Sequence, residues 1–326
     1  MIALVQHDWA GAHSALGPAG PQAARIETLW DFLWIVSLIV FVLVVSAAFY
    51  AALRRRREPP PEDPSLVRGA SRRTFVLIGG AIVASVVVLF VFLAADLAAG
   101  KRLTVPPDGT LLIEVTGHQW WWEVTYPDSQ PSHQVTTANE IHVPVGRPVV
   151  VVLKSSDVNH SFWPPSLTGK RDMIPGQETS LWFQADTPGV YRGQCAEFCG
   201  YAHAKMAFLV IAEPPDSFAT WLVAQRDSAR TPTDSLARRG QEIFLGGPCV
   251  MCHSIRGTPA GSRVGPDLTH LASRRTIAAG ALPNRRGHLA GWIVDPQSIK
   301  PGSYMPPNDL EPDELEALLA YLETLK

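Results

Sequence analysis

Cys195-Ala196-Glu197-Phe198-Cys199-Gly200-Tyr201-Ala202-His203-Ala204-Lys205-Met206 packs two thiols, an imidazole, a carboxylate and a thioether into one tight segment. Thiolates and thioethers select soft metals such as copper, and imidazole suits copper equally well. A mononuclear blue-copper site uses one Cys, with His and a weak Met. Here there are two Cys, spaced so that both sulfurs can face one point. Two thiolates can bridge two copper ions, and each ion then needs its own outer ligands. His203 and Met206 can supply one apiece, so a further histidine must come from elsewhere in the chain.

The chain has 326 residues, room for about two domains. Its four cysteines fall in two close pairs, C-x-x-x-C at Cys195 and Cys199 and C-x-x-C at Cys249 and Cys252. Evenly scattered cysteines would suggest a disulfide framework; close pairs beside histidine point to metal or haem, with two local disulfides as the alternative. Charged residues make up only 18% of the chain. With a mean hydropathy of +0.07, this predicts membrane segments. The net charge of -2 gives no reason to expect a nucleic-acid partner.

Two apolar runs meet that expectation, about 28–53 and about 74–98, the second broken only by Asp96 near its end. Each is long enough to cross a hydrocarbon core of about 30 Å as a helix. Residues 1–25 lack the charged region followed by an apolar core that marks a cleavable signal peptide. Between the runs lie Arg54-Arg55-Arg56-Arg57, Pro59-Pro60-Pro61, and Arg68, Arg72 and Arg73. The positive-inside rule puts this loop in the cytoplasm, and with it both termini and everything after about Gly100 on the outer side.

From about residue 100 to 213 the pattern turns to β. Leu111–Val115, Val149–Leu153, Ser180–Gln184 and Ala207–Ile211 are rich in β-branched and aromatic residues, and turn signals such as Pro107-Asp108-Gly109 and Thr187-Pro188-Gly189 separate strands. Several short strands with regular turns predict a sandwich or barrel. Glu213-Pro214-Pro215-Asp216 closes this domain, and 214–234 reads as a linker with a short helical stretch from Phe218 to Arg226. From 235 to 326 the pattern is helical: Asp234 or Ser235 caps a helix to Phe244, and Pro312 opens a terminal one.

Ten histidines are candidates for the missing copper ligand. The best is His160, in Asp157-Val158-Asn159-His160-Ser161-Phe162-Trp163 at the end of the valine-rich strand. His118, His133 and His142 have no neighbouring ligands and read as ordinary hydrogen-bonded or surface histidines.

With these pieces in place the chain resembles subunit II of cytochrome c oxidase, from the hairpin to about Glu213. The resemblance lies in Gly117-His118-Gln119-Trp120-Trp121-Trp122-Glu123, the Asp157–Trp163 stretch, Gly169-Lys170-Arg171-Asp172-Met173-Ile174-Pro175-Gly176 and the Cys195–Met206 stretch. It implies a cupredoxin-like Greek-key barrel and a dinuclear CuA centre held by His160, Cys195, Cys199, His203, Met206 and the backbone carbonyl of Glu197. It further implies that the Glu197 side chain faces subunit I and binds magnesium there; a carboxylate oxygen suits that hard cation. Trp120 corresponds to the tryptophan through which electrons enter. The residues alone read Trp120, Trp121 and Trp122 as barrel packing, and this chain carries three consecutive Trp where many relatives have a Tyr.

Cys249-Val250-Met251-Cys252-His253 is the pattern of c-type haem attachment: two thioethers to the haem and an adjacent imidazole on the iron. A thioredoxin-like redox pair would want a βαβ context that the pattern does not offer. Of five methionines, only Met305 is free to be the sixth ligand, with His270 and His288 as alternatives. Residues 235–326 resemble class I cytochrome c. Gly240-Gln241-Glu242-Ile243-Phe244 matches the helix that crosses the C-terminal helix near Leu318 and Tyr321, and Gly265-Pro266-Asp267-Leu268 the loop whose proline carbonyl receives the proximal imidazole N–H.

The combined expectation is a two-helix transmembrane hairpin, an all-β copper domain and an all-α cytochrome domain in a bacterial inner membrane. Its implied role is electron relay in a respiratory chain, from external cytochrome c or an upstream complex through haem c and CuA to subunit I. There oxygen is reduced with proton translocation, and subunit III is a further implied partner. A copper-containing nitric oxide reductase subunit and a non-enzymatic membrane copper-binding module are the competing readings. A quinol oxidase subunit is disfavoured by the intact copper ligands.

Overall fold

The computed structural model describes residues 13–55 and 72–326. Arg56, Arg57, Arg68 and Pro59-Pro60-Pro61 of the basic loop lie outside the described residues. The chain divides into two compact units, Arg25–Thr104, and Met1–Ala24 with Val105–Lys326.

The first unit is a helical hairpin. The two apolar runs form α1 (Pro21–Arg55) and α2 (Arg72–Thr104), each eight or nine residues longer than the run that predicts it. Thirty-five residues at the helical rise make α1 about 52 Å long, more than a hydrocarbon core requires. Phe32 stacks on Phe92 at 5.2 Å, so the start of α1 lies beside the end of α2. Side chains such as Phe41 and Leu89 are about two thirds exposed. A continuous outward-facing apolar surface suits lipid and not water; both helices are long and apolar enough to cross a membrane.

The second unit begins with ten strands in chain order: β1 (Leu111–His118), β2 (Trp121–Tyr126), β3 (Val135–Ala138), β4 (Glu140–Pro144) and β5 (Val149–Ser155). There follow β6 (His160–Trp163), β7 (Arg171–Met173), β8 (Thr179–Phe183), β9 (Gly189–Cys195) and β10 (Ala207–Glu213). They form two five-stranded sheets, β3-β2-β1-β5-β8 and β4-β10-β9-β6-β7. The β1–β5 and β4–β10 pairs are parallel, the others antiparallel, giving a cupredoxin-like sandwich. Alternation explains the inner faces: Ile113 and Val115 of β1 and Val149, Val151 and Leu153 of β5 are fully buried. Trp122 of the first sheet meets Phe208 of the second edge-on at 5.2 Å, and Phe208 stacks on Phe162 at 4.4 Å. Of the three consecutive tryptophans, Trp122 is fully buried between the sheets and Trp120 is buried at 7% exposure. Trp121 instead stacks on His118 at 4.3 Å.

Part of the segment expected as a linker is a helix, α3 (Pro215–Ala224), laid on this sandwich. Phe218 is buried, and Trp221 stacks face to face on His142 at 3.9 Å. The i, i+3 spacing puts both aromatic rings on one helix face.

Residues 235–326 build a second core from α4 (Ser235–Gly246), a small hairpin of β11 (Thr276–Ile277) and β12 (Leu282–Pro283), α5 (Arg286–Val294), α6 (Pro296–Ile299) and α7 (Pro312–Leu322). The Asp234 carboxylate caps α4 by accepting from the Leu236 and Ala237 N–H groups, worth about 1 kcal/mol. The Glu314 side chain accepts from the Glu311 N–H at the start of α7. Helices α4 and α7 cross at Gly240, where a Cβ would stand 1.9 Å from the Ala317 carbonyl oxygen, and Phe244 meets Tyr321 beside the crossing. Only glycine permits that approach.

Candidate functional site

The copper-type loop is pinched at its neck. The Cys195 N–H, at the end of β9, donates to the Met206 carbonyl just before β10 at 2.9 Å. The Ala196 N–H donates to Ser161 in β6, tying the loop to the strand that carries His160. Between these anchors a turn and a short 3-10 segment fold the remaining residues inward.

The result is a chain of donor atoms in contact. Cys195 Sγ lies 3.7 Å from Cys199 Sγ, 3.8 Å from His160 Nδ1 and 3.1 Å from the Glu197 carbonyl oxygen. Cys199 Sγ lies 3.5 Å from His203 Nδ1 and 3.8 Å from Met206 Sδ. His160, Met206 and both thiols are buried, with His203 partly so. The two sulfurs sit at the centre, each with its own imidazole, and the carbonyl and the thioether lie at opposite ends. Two thiolates, two imidazoles, a thioether and a carbonyl fit a pair of soft ions sharing the sulfurs.

The electrostatics agree. Contact with Cys199 pulls the Cys195 thiol well below its ordinary range, and the same contact together with burial pushes Cys199 up. Metal binding would deprotonate both thiols, since the ligand is the thiolate. Burial alone would lower the His160 pKa, but its bonds to Cys195 and Asp157 outweigh burial and raise it. Asp157 accepts from His160 Nε2 at 2.8 Å, leaving Nδ1 toward the sulfur. The sequence reading gave Asp157 no role, though its place three residues before His160 was a signal. His118, His133 and His142 stand apart from the cluster, bonded to Ser156, facing Asp128 at 3.9 Å, and bonded to Glu213.

The haem-type residues line one cavity of about 230 Å³ that includes Cys249, Cys252, His253 and Met305. His253 Nδ1 lies 2.8 Å from the Pro266 carbonyl, and burial holds the ring's pKa below its ordinary value. A neutral ring donating there leaves Nε2 as a free electron pair. Gly265 makes room for this ring: a Cβ there would stand 2.8 Å from His253 Cε1. Arg274 also lines the cavity, and its Nε–H is buried without a partner. Two thiols, a neutral imidazole, a thioether and an orphaned cationic donor suit a covalent haem with its carboxylates. His270 and His288 are not among the cavity's lining residues.

One wall of this cavity belongs to the sandwich. Trp120 and Trp121 line it together with Lys300 and Tyr304 from the cytochrome side. Trp120 Nε1–H donates to the Cys199 carbonyl at 3.0 Å, and Gln119 Nε2 donates to the same oxygen at 2.7 Å. Lys300 Nζ donates to the Trp120 carbonyl at 2.6 Å, and burial drops its pKa to about 7. Tyr304 lies over the Trp120 ring at 5.2 Å. Lys300 and Tyr304 carry no motif, so sequence reasoning could not single them out.

Comparisons with known proteins fit this arrangement. Residues 111–213 match the family described as cytochrome c oxidase subunit II, periplasmic domain, and residues 237–326 match cytochrome c. The chain is 41% identical over 220 residues to cytochrome c oxidase subunit 2 of Alkalihalophilus pseudofirmus, covering 67% of this chain and 62% of that protein. Against the subunit 2 of a Bacillus species it is 36% identical over 67% of this chain and 63% of that protein. Against that of Bacillus subtilis it is 31% identical over 248 residues, 73% of this chain and 68% of that protein. The chain thus spans a little under two thirds of the first two relatives and slightly more of the third. It belongs to the cytochrome c oxidase subunit 2 family.

Proposed function

We propose that this chain is the electron-input subunit of a terminal oxidase and joins a subunit I in which oxygen is reduced to water with proton translocation. The observation that carries this reading is Trp120, whose ring donates to the Cys199 carbonyl and also walls the cavity of Cys249, Cys252, His253 and Met305. A single side chain therefore touches both candidate cofactor sites. When bound, a dinuclear CuA pair and a covalent haem c supply one-electron carriage between an external cytochrome c or upstream complex and subunit I.

The residues take distinct roles. Cys195 and Cys199 would bridge the coppers, with His160, His203, Met206 and the Glu197 carbonyl as outer ligands, and Asp157 would fix the His160 ring. Burial of the sulfurs keeps water from them, and the neck between Cys195 and Met206 holds the loop in one shape. Cys249 and Cys252 would attach the haem, with His253 and Met305 on its iron. In support of Met305, it shares a cavity with His253.

Glu197 is half-buried beside exposed Phe198, and its carboxylate would hold magnesium at the face turned to subunit I. The arginine-rich loop would lie in the cytoplasm, with both termini and both cofactor domains in the periplasm of a bacterial inner membrane. Subunit III would complete the assembly. Electron paramagnetic resonance of the purified protein tests the proposal: a mixed-valence dinuclear copper signal together with a low-spin Met/His haem is expected. Mononuclear copper, or no haem, would refute it.

A further inference from the structure

The cytochrome domain is bound to the copper domain by contacts that run beside the two candidate cofactor sites. At their centre is Glu140, the first residue of β4 and only 3% exposed. Its Oε1 accepts from the Arg275 N–H at 2.7 Å, the Thr276 N–H at 2.9 Å and the Thr276 hydroxyl at 3.3 Å. All three donors belong to the cytochrome domain. Beside them Arg274 reaches across to the Thr137 hydroxyl at 3.3 Å while holding the Asp267 carbonyl at 2.5 Å.

The contact continues along the same segment. Lys300 Nζ bridges the Ala278 and Trp120 carbonyls. The Ala207 N–H, next to Met206, donates to the Ala279 carbonyl at 2.9 Å, and Arg192 donates to the Gly280 carbonyl at 3.1 Å. Ala278 and Ala279 hold φ of 55° and 59°. Alanines rarely keep the left-handed region unless their surroundings impose it, and here the Ala279 carbonyl is held by the copper domain's Ala207 N–H and the next carbonyl by its Arg192 side chain. Weak redox encounters use small, wet contacts; this one is buried and directional.

The geometry points to Glu140 as a positioning residue that clasps the main chain of the cytochrome domain at Arg275 and Thr276 and fixes the haem-type cavity against Trp120. Its neighbour Asn139 transmits the grip: Asn139 lines that cavity and its Oδ1 accepts from the Trp122 N–H at 2.9 Å. The inference rests on the relay proposed above and changes its character. Covalent fusion by itself gives a tethered search at high effective concentration. The clasp replaces the search with one docked geometry.

Glu140→Leu, which removes the acceptor, and the milder Thr276→Val, made in the full chain assembled with its partner subunits, test this. Amide hydrogen exchange of residues 274–280 and the viscosity dependence of haem-to-copper electron transfer are the two readouts. The wild type is expected to show slow exchange at Arg275 and Thr276 and transfer independent of viscosity. In Glu140→Leu, exchange there should quicken by about 10- to 100-fold, the loss expected when buried N–H donors are left without their acceptor. Transfer should slow and become viscosity-dependent, with haem and copper spectra unchanged. Unchanged exchange in that variant overturns the clasp. So does rapid exchange or viscosity-limited transfer in the wild type, which settles the matter even if the variant does not fold. A protected segment in a wild type that passes no electron from haem to copper would overturn the relay and leave the clasp standing.

Discussion

Asp157 offers the sharpest test of how the copper loop is held. Its carboxylate accepts from the Gln119 N–H at 2.6 Å, the Val158 N–H at 2.7 Å and His160 Nε2 at 2.8 Å. Asp157→Asn keeps the size and removes the charge that orients the ring. Loss of such a partner behind a metal-bound imidazole weakens metal binding by about 10- to 100-fold, or ~1.4–2.7 kcal/mol. The side chain is part-exposed, at 29%, so the lower half of that range is expected. Copper affinity is read by competition titration against a chelator on the solubilised full chain, with the haem spectrum as an internal check on folding. Affinity within twofold of the wild type would show that the Asp157 charge does not tune the His160 ring.

The other expectations are more direct. Cys199→Ser should abolish the dinuclear copper signal and leave the haem spectrum; survival of mixed-valence copper would mean that the thiols do not both bridge. Met305→Ala should remove the sulfur-to-iron absorption band and lower the haem potential, whereas His270→Ala and His288→Ala should leave both unchanged. Gly240→Val puts a Cβ where the Ala317 carbonyl stands 1.9 Å away. It should cost at least ~1–3 kcal/mol, seen as a lower melting temperature of the haem absorbance, and an unchanged melting point would contradict the close crossing of α4 and α7.

What could be read from the sequence was local. The copper loop, the haem-attachment pentapeptide and the two apolar runs each carry their chemistry within about two dozen residues or fewer, and spacing alone exposes it. His160 was readable from its place shortly after the valine-rich run, although it opens β6 of the second sheet and does not end the valine-rich β5 of the first. Strand β7 has only three residues and strand β6 four, too short for alternation to show. The Phe218 and Trp221 pair did signal a packed helix within the segment read as a linker. Contacts between the domains left no trace. Glu140 precedes its partners by more than 130 residues, and Lys300 stands 180 residues from Trp120. A glutamate opening a strand and a lysine before Pro301 look like ordinary surface charges until the fold buries them.

The central claim is that one chain passes electrons from its haem to its copper pair. Time-resolved absorbance of the assembled oxidase, after rapid reduction of the haem alone, tests it most directly. The account predicts that haem oxidation and copper reduction proceed together, with a rate independent of protein concentration and lost in Cys199→Ser. Copper reduction that precedes or ignores the haem, or a rate that rises with protein concentration, would contradict it.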